Sequence, residues 1–117
     1  MNILIADKIG VYRFGFKTII GELWTDAVVS EACNFDKAIE LVFDNNFDLL
    51  VLDIELAPQE LLANFIGKAI RHTKVVMLLG DCLNEEASSL SKIGADAIIF
   101  RSTSKEEVSD ILKWMFS

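Results

Sequence analysis

Short, unbroken apolar runs alternate with helix-like segments along the whole chain, and this alternation restricts the fold more than any other feature. Two of the runs, residues 3–6 and 49–52, are each followed at once by an aspartate, Asp7 and Asp53. Unbroken apolar runs of this length are typical of strands that are buried on both faces of a parallel sheet. Five such strand–helix units with short connections predict an α/β fold, a doubly wound five-stranded parallel sheet with five helices.

The predicted strands and helices follow one another in regular order. Strands are expected at 2–6, from Ala27 onward, and at 48–53, 75–79 and 97–100. Apolar residues at core spacing mark four of the helices: Ile9, Tyr12, Phe16, Ile19 and Leu23 in the first, Phe35, Ala38, Leu41 and Val42 in the second, Leu61, Leu62, Phe65, Ile66, Ala69 and Ile70 in the third, and Val108, Ile111, Leu112 and Met115 in the fifth.

The helix ends carry recognisable signals. Pro58 suits the first turn of the third helix. The fourth helix, around 84–93, is the weakest because its apolar stripe is narrow and serines occupy its centre, and Gly94 is expected to cap its end. Ser104 and Glu107 form a capping box that begins the fifth helix.

Length, charge and cysteine usage restrict the class of protein. The 117 residues suffice for one domain, 1–117, and its net charge of −7 would repel a phosphate backbone, so no nucleic-acid binding is expected. No apolar run approaches the roughly 18 residues of a membrane span, and no signal peptide is recognised. Cys33 and Cys82 lack CxxC spacing and are predicted to be buried thiols of a cytoplasmic protein.

The two aspartates are expected to lie together. Ligands of parallel sheets bind beyond the carboxyl ends of the strands, so Asp7 and Asp53 both point into the predicted site. Two carboxylates at this edge could serve a metal ion or a phosphoryl group. Lys8, the next residue after Asp7, opposes metal binding.

Four short motifs occur in the order and at the spacing of a known family. They are residues 2–7 (NILIAD), 47–54 (FDLLVLDI) and 94–97 (GADA), with Arg13-x-Gly15-Phe16 in the first helix. Over essentially its whole length the chain resembles the receiver domain of bacterial response regulators. The Arg13 motif looks like the subgroup whose receivers precede a helix-turn-helix output domain. The resemblance implies a flavodoxin-like fold with strand order 2-1-3-4-5 and a role in two-component phosphorelay signalling.

The resemblance also implies roles for particular positions. Asp53 stands where the family accepts a phosphoryl group from a histidine kinase. Asp7 and Lys8 stand where two consecutive acids help to hold Mg²⁺, so the vestigial ligands are Asp7, Asp53 and the backbone carbonyl of Glu55. Three further positions depart from the family: Leu79 for the Thr or Ser that binds the phosphoryl oxygen, Ile98 for an aromatic that turns inward on activation, and Arg101 for the lysine that pairs with the phosphoryl group.

These departures change the charge and the hydrogen bonding of the expected site. Mg²⁺ prefers oxygen ligands with carboxylates supplying charge, but Asp7 and Asp53 give −2 while Lys8 and Arg101 give +2. We therefore expect weak or absent Mg²⁺ binding and no other cofactor. Leu79 cannot donate a hydrogen bond to a phosphoryl group. The leading interpretation is an atypical, phosphorylation-independent receiver that acts through protein–protein interaction and is not an enzyme.

Alternatives remain open for the same residues. Asp53 is either a phosphoacceptor with atypical chemistry or the salt-bridge partner of Lys8, and Lys8 either replaces the metal or faces solvent. Arg101 pairs with Asp53 or Asp7, or lies exposed at the strand end. A flavin- or nucleotide-binding protein on the same fold would need a phosphate-cradling loop after the first strand, and residues 7–10 are too acidic and too poor in donors.

The expected partners are proteins. A histidine kinase or another protein partner fits the resemblance, as does a homodimer through the fourth helix, the fifth strand and the fifth helix. Trp114 lies off the core stripe of the fifth helix. An exposed Trp114 would suit such an interface, whereas a partly buried tryptophan at the helix edge is the alternative.

Overall fold

Strands and helices alternate strictly in the computed structural model, which describes residues 1–80 and 84–117. In these ranges the chain forms five strands and five helices, as the apolar pattern predicted. They run in the order β1 (Asn2–Ala6), α1 (Gly10–Leu23), β2 (Val28–Ala32), α2 (Phe35–Asp44), β3 (Leu49–Asp53), α3 (Gln59–Ala69), β4 (Lys74–Leu79), α4 (Glu85–Ser91), β5 (Ala97–Phe100) and α5 (Lys105–Met115).

All strand pairs are parallel, and the strand order is β2-β1-β3-β4-β5. This order confirms the doubly wound, flavodoxin-like sheet. The middle strand β3 is buried along its whole length, which is why its sequence is a continuous apolar run. Ala6 is opposite Leu52 in the register, so Asp7 and Asp53 follow neighbouring strands at the same edge, here called the C-terminal edge of the sheet.

The core forms two layers, one on each face of the sheet. Alternate residues of each strand point to opposite faces, so that Leu4 and Leu50 pack under α2, α3 and α4, while Ile3 and Val51 pack under α1 and α5. Burying a side chain of this size contributes about 1.5–3 kcal/mol to stability. These layers fix the positions from which the loops of the C-terminal edge emerge.

Capping residues set the helix ends, and their effect is local. Ser104 accepts a hydrogen bond from the backbone N–H of Glu107 at 3.2 Å, as the capping box predicted. Asn34 and Asn84 cap α2 and α4 in the same way. Gly94 has φ of +125°, and a Cβ there would lie 3.0 Å from the Ile70 side chain. A side chain at residue 94 would therefore strain the turn that leads into β5.

Some predictions of local structure were wrong. Cys33 is exposed, because it lies in the turn after the edge strand β2, where no helix covers it; Cys82 lies outside the described residues. Leu61 is 52% exposed rather than part of the core, since the core-facing side of α3 is taken by Leu62 and Phe65. Pro58 is the N-cap of α3 and not part of its first turn, and α4 ends at Ser91, earlier than expected.

The sequence left open whether Trp114 is exposed or partly buried. Its side chain is 70% exposed.

None of the helices in the described ranges is long and apolar enough to cross a membrane.

Candidate functional site

Asp7 and Asp53 lie side by side at the C-terminal edge of the sheet, and both are almost completely buried. Their exposed fractions are 0% and 1%. In each residue, Oδ1 accepts a hydrogen bond from the backbone N–H two residues further on: from Ile9 to Asp7 and from Glu55 to Asp53, both at 2.9 Å. These turns fix the carboxylates and leave Oδ2 of each available to another group.

That group is the guanidinium of Arg101, which lies between the two aspartates. Arg101 Nη1 donates to Asp7 Oδ2 at 3.0 Å, and Nη2 lies 3.3 Å from Asp53 Oδ2. The Arg101 side chain is 11% exposed. Of the pairings that the sequence left open, the structure therefore shows both carboxylates with the same arginine.

Two further contacts hold Arg101 in this position. Its backbone N–H donates to the carbonyl of Leu79 at 2.9 Å, which fixes the turn after β5 to the end of β4. The guanidinium carbon lies 4.0 Å from the centre of the Tyr12 ring, a cation–π contact from the first turn of α1. Elements β1, β3, β5 and α1 thus all contribute to one cation–carboxylate cluster.

The two ion pairs are unequal. Arg101 makes a well-directed hydrogen bond to Asp7, whereas among the described residues neither Asp53 Oδ2 nor Arg101 Nη2 has a hydrogen-bond partner. Burial raises the pKa of Asp53, and the negative charges of Asp7 and Glu55 raise it further. The hydrogen bond from the Glu55 N–H and the positive charge of Arg101 act to lower this pKa, but the net shift is upward. Burial acts to lower the pKa of Arg101, but its hydrogen bond to Asp7 and both negative charges raise that pKa more.

Lys8 takes no part in this cluster. Its side chain is exposed, and no ion pair joins it to a carboxylate of residues 1–80 or 84–117. The predicted salt bridge between Lys8 and Asp53 is therefore wrong, and so is the neutral charge sum that included Lys8. The carboxylate of Asp7 turns into the site while the next residue faces solvent, so the buried cluster has two carboxylates and one guanidinium, a formal charge of −1.

The other predicted positions supply apolar surface. Leu79 is 1% exposed and belongs to the core layer beneath α2, α3 and α4, and Ile98 is partly buried against the same layer. Neither side chain carries a hydrogen-bond donor. Glu55 is exposed and contributes its backbone N–H to Asp53.

The Mg²⁺ site implied by the resemblance can be tested against these residues. A divalent cation would need the Oδ2 atoms of Asp7 and Asp53, and the positive charge of Arg101 lies within 3.3 Å of both. The third carboxylate of the family is replaced by an exposed lysine. Within the described ranges no three His, Cys, Asp or Glu side chains are grouped so as to hold a metal ion. The residues present therefore do not fit Mg²⁺.

Sequence reasoning missed two residues that support the site. Tyr12, expected in the core, is only partly buried and packs on Arg101. Arg13 donates from Nη1 to the backbone carbonyl of Asp7 at 2.7 Å and from Nε to Glu31 at 2.9 Å. The sequence carried a signal for both residues, because they lie in the first turn of the helix after β1. The first turn of a helix that follows a parallel strand lies at the C-terminal edge of the sheet.

Two of three comparisons with known proteins found similar chains. The third found no match, because no protein-family model matches this chain. The oxygen regulatory protein NreC of Staphylococcus epidermidis is 28% identical over 111 residues, which are 92% of this chain and 51% of that protein. The chain thus spans about half the length of the curated relatives that it matches.

Solved structures share the fold over the whole chain. The signal receiver domain of a DNA-binding response regulator from Colwellia psychrerythraea matches with a TM-score of 0.84 and 15% identity, covering 99% of this chain and 98% of that one. A signal receiver domain from a two-component histidine kinase of Clostridium thermocellum matches with a TM-score of 0.86 and 16% identity, covering 99% and 97%. Together with the order of the five strands, these similarities show that the chain has the fold of response regulator receiver domains.

Proposed function

We propose that this receiver domain works in two-component signalling without Mg²⁺-dependent phosphorylation, and that it acts through contacts with other proteins. The observation that carries the proposal is the position of Arg101, whose guanidinium lies 3.0 Å from Asp7 Oδ2 and 3.3 Å from Asp53 Oδ2. A permanent cation thus stands where the family would bind an exchangeable one.

The energetics of the cluster favour its persistence. Removing one partner of a buried ion pair leaves an uncompensated charge and costs roughly 3–5 kcal/mol. A phosphoryl group on Asp53 Oδ2 would have to displace or reorient Arg101, whose other partner, Asp7, is fully buried. Leu79 offers no donor to the phosphoryl oxygens. Phosphorylation of Asp53 would therefore be energetically costly, and no hydrogen bond from residue 79 would link the phosphoryl group to the segment that leads into α4.

The proposal is tested by incubating the domain with a small-molecule phosphodonor, with and without Mg²⁺, and measuring the intact mass. We expect no stoichiometric adduct under either condition. The control is the variant Asp53→Asn, which removes the acceptor oxygen. A stoichiometric adduct in the wild type that is lost in Asp53→Asn would overturn the proposal.

A second candidate function is a phosphorylatable receiver that accepts the phosphoryl group of a histidine kinase on Asp53 with atypical chemistry. Its support is that Asp53 Oδ2 is the less firmly held of the two oxygens that face Arg101. Arginine can also bind phosphate through two donors. The mass measurement above separates this candidate from the first, because it requires the adduct.

The remaining features of the proposal concern partners and setting. We propose that the domain is cytoplasmic and holds no resident cofactor. We also propose that it is not an enzyme, because its one histidine provides no nucleophile–base pair for catalysis. The loop of residues 7–10 is unsuited to a flavin or nucleotide phosphate, which disfavours that alternative. A homodimer through α4, β5 and α5 is supported by the 70% exposure of Trp114. Since the curated relatives are about twice as long, control of an attached helix-turn-helix domain is a further proposal.

A further inference from the structure

The seam between α2 and α3 forms an apolar groove that the site at the C-terminal edge does not use. Its α2 wall consists of Phe35, Ile39 and Phe43, spaced four residues apart, and its α3 wall includes Leu61. Phe65, which is 4% exposed, forms the floor, with Phe35 and Phe43 packed edge-on against it at 5.3 and 5.9 Å between ring centres. The groove is thus lined by a fixed aromatic cluster.

Apolar side chains stand exposed on both walls of this groove. Phe43 on α2 is 49% exposed, and Leu61 on α3 is 52% exposed. Phe43 also borders a second cavity of about 220 Å³ at the end of α2, lined in part by Phe47 and Ala69. Phe43 therefore borders both depressions.

The size of the groove indicates what kind of occupant it fits. The cavity between the two walls is about 120 Å³, well below the roughly 300–1,000 Å³ of typical small-molecule sites. It can take one or two apolar side chains. Residues 35 to 43 extend over about 12 Å of helix at 1.5 Å per residue. That length matches two turns of a partner helix with apolar anchors at i, i+4 and i+7.

Charge along the α2 rim selects among helical partners. The residue after each groove residue of α2 is an exposed acid: Asp36 after Phe35, Glu40 after Ile39 and Asp44 after Phe43. Each acid lies about 100° further round the helix, so the three form an acidic row beside the apolar one. Glu40 has a surface ion pair with Lys37 at 3.6 Å, which contributes little.

We propose that the α2–α3 groove docks a basic amphipathic helix of a partner protein, with its apolar anchors between Phe43 and Leu61 and its basic flank along the acidic row. An anionic membrane surface is disfavoured by that row, and so is a second copy docked through the same face, because two acidic rows would then meet. Lys68 on the α3 side of the groove sets the orientation, because it repels the basic flank.

This inference rests on the proposed action through protein contacts, since it names the surface and the partner chemistry. The two can still fail separately. An Asp53 phosphate adduct would overturn the proposed function without affecting the groove, and loss of groove binding would leave the Arg101 cluster untouched.

The test is a titration of the ¹⁵N-labelled domain with two synthetic helical peptides, followed by NMR. Both peptides carry the same leucines at i, i+4 and i+7, and one has a lysine flank where the other has a glutamate flank. We expect the lysine peptide to give saturable shifts at Phe43, Leu61 and Phe65. We expect the glutamate peptide to bind at least about tenfold more weakly, as charge complementarity requires.

Three variants sharpen this test. Leu61→Gln removes an exposed anchor and is expected to weaken the lysine peptide by about tenfold, as loss of an interface anchor does. The double variant Glu40→Lys, Asp44→Lys should reverse the preference between the two peptides. Phe14→Gln removes a side chain on α1 that is 69% exposed and is the matched control, expected to leave binding unchanged.

Several results would overturn the inference. These are equal binding of both peptides, an equal effect of Phe14→Gln and Leu61→Gln, or shifts at the groove that depend on protein concentration without peptide, which would mean a second copy. Binding to anionic lipid vesicles through the same amides would equally contradict it. Dispersed amide spectra of each variant establish that the fold is retained, so every outcome counts for or against the groove.

Discussion

Asp7 and Asp53 end neighbouring strands of the same sheet and are equally buried, yet their surroundings differ. Asp7 receives a hydrogen bond from Arg101 at 3.0 Å, and Arg13 binds its backbone carbonyl. Asp53 lies 3.3 Å from the same guanidinium without a well-directed hydrogen bond, and its pKa is raised mainly by burial. Asp7 therefore anchors the cation, whereas Asp53 is the less firmly held member of the cluster.

The largest expected effect comes from removing the cation that both aspartates share. Arg101→Met leaves two buried carboxylates without a counterion and should lower the free energy of unfolding by about 3 kcal/mol at neutral pH. Urea unfolding measures this loss. It should shrink as the pH falls, because protonation of Asp53, whose pKa is raised by burial, removes one of the uncompensated charges.

The matched control for Arg101→Met is Lys105→Met. Lys105 forms an ion pair with Glu22 at 2.9 Å, but both side chains are more than half exposed. Its loss should change the free energy of unfolding by no more than about 1 kcal/mol. If the two variants were equally stable, Arg101 would not be an internal counterion.

A smaller effect separates the two aspartates from each other. Asp7→Asn should cost about 2 kcal/mol, because it weakens a charged, well-directed hydrogen bond to Arg101. Asp53→Asn should be neutral or stabilising at pH 7, because ionisation of Asp53 is disfavoured in the folded state. Unfolding of the two variants under the same conditions measures the difference, and the reverse order of stability would contradict the comparison.

The pH dependence of Asp53→Asn follows from the direction of the pKa shift. A carboxyl group whose pKa is raised by folding holds its proton to higher pH in the folded protein than in the unfolded chain. Its ionised form therefore weakens folding above the folded pKa, and this penalty is relieved as the pH falls toward the unfolded pKa. The stability difference between the wild type and Asp53→Asn should accordingly narrow with acidification.

The fold was predictable from the sequence because it depends on local patterns. Apolar runs and helical spacing determine which residues are buried, and these patterns alone locate Asp7 and Asp53 at one edge of the sheet. The identity of the cation was not predictable in the same way. Lys8 is adjacent to Asp7 in sequence, but the direction of a side chain in a loop depends on contacts with other elements.

Arg101 is separated from Asp7 by 94 positions in the sequence, and β5 brings the two together only in the folded sheet. The contacts of Tyr12 with this arginine and of Leu61 with the α2–α3 groove are likewise tertiary. Helical spacing alone assigned both residues to the core. A spacing rule reports which face of a helix an apolar residue shares, and it does not report what covers that face.

The most direct test of the central claim, that Arg101 takes the place of the metal ion, is a Mg²⁺ titration followed through the amide signals of Asp53 and Glu55. Tryptophan fluorescence is unsuitable, because Trp24 and Trp114 lie at the ends of α1 and α5 away from the site. The comparison is with Lys8→Asp, which restores a carboxylate beside Asp7, and with the double variant Lys8→Asp, Arg101→Lys. We expect no saturable shift in the wild type at Mg²⁺ concentrations that saturate the variants, with the double variant binding most tightly. Saturable Mg²⁺ binding by the wild type with the affinity of the double variant would contradict the account.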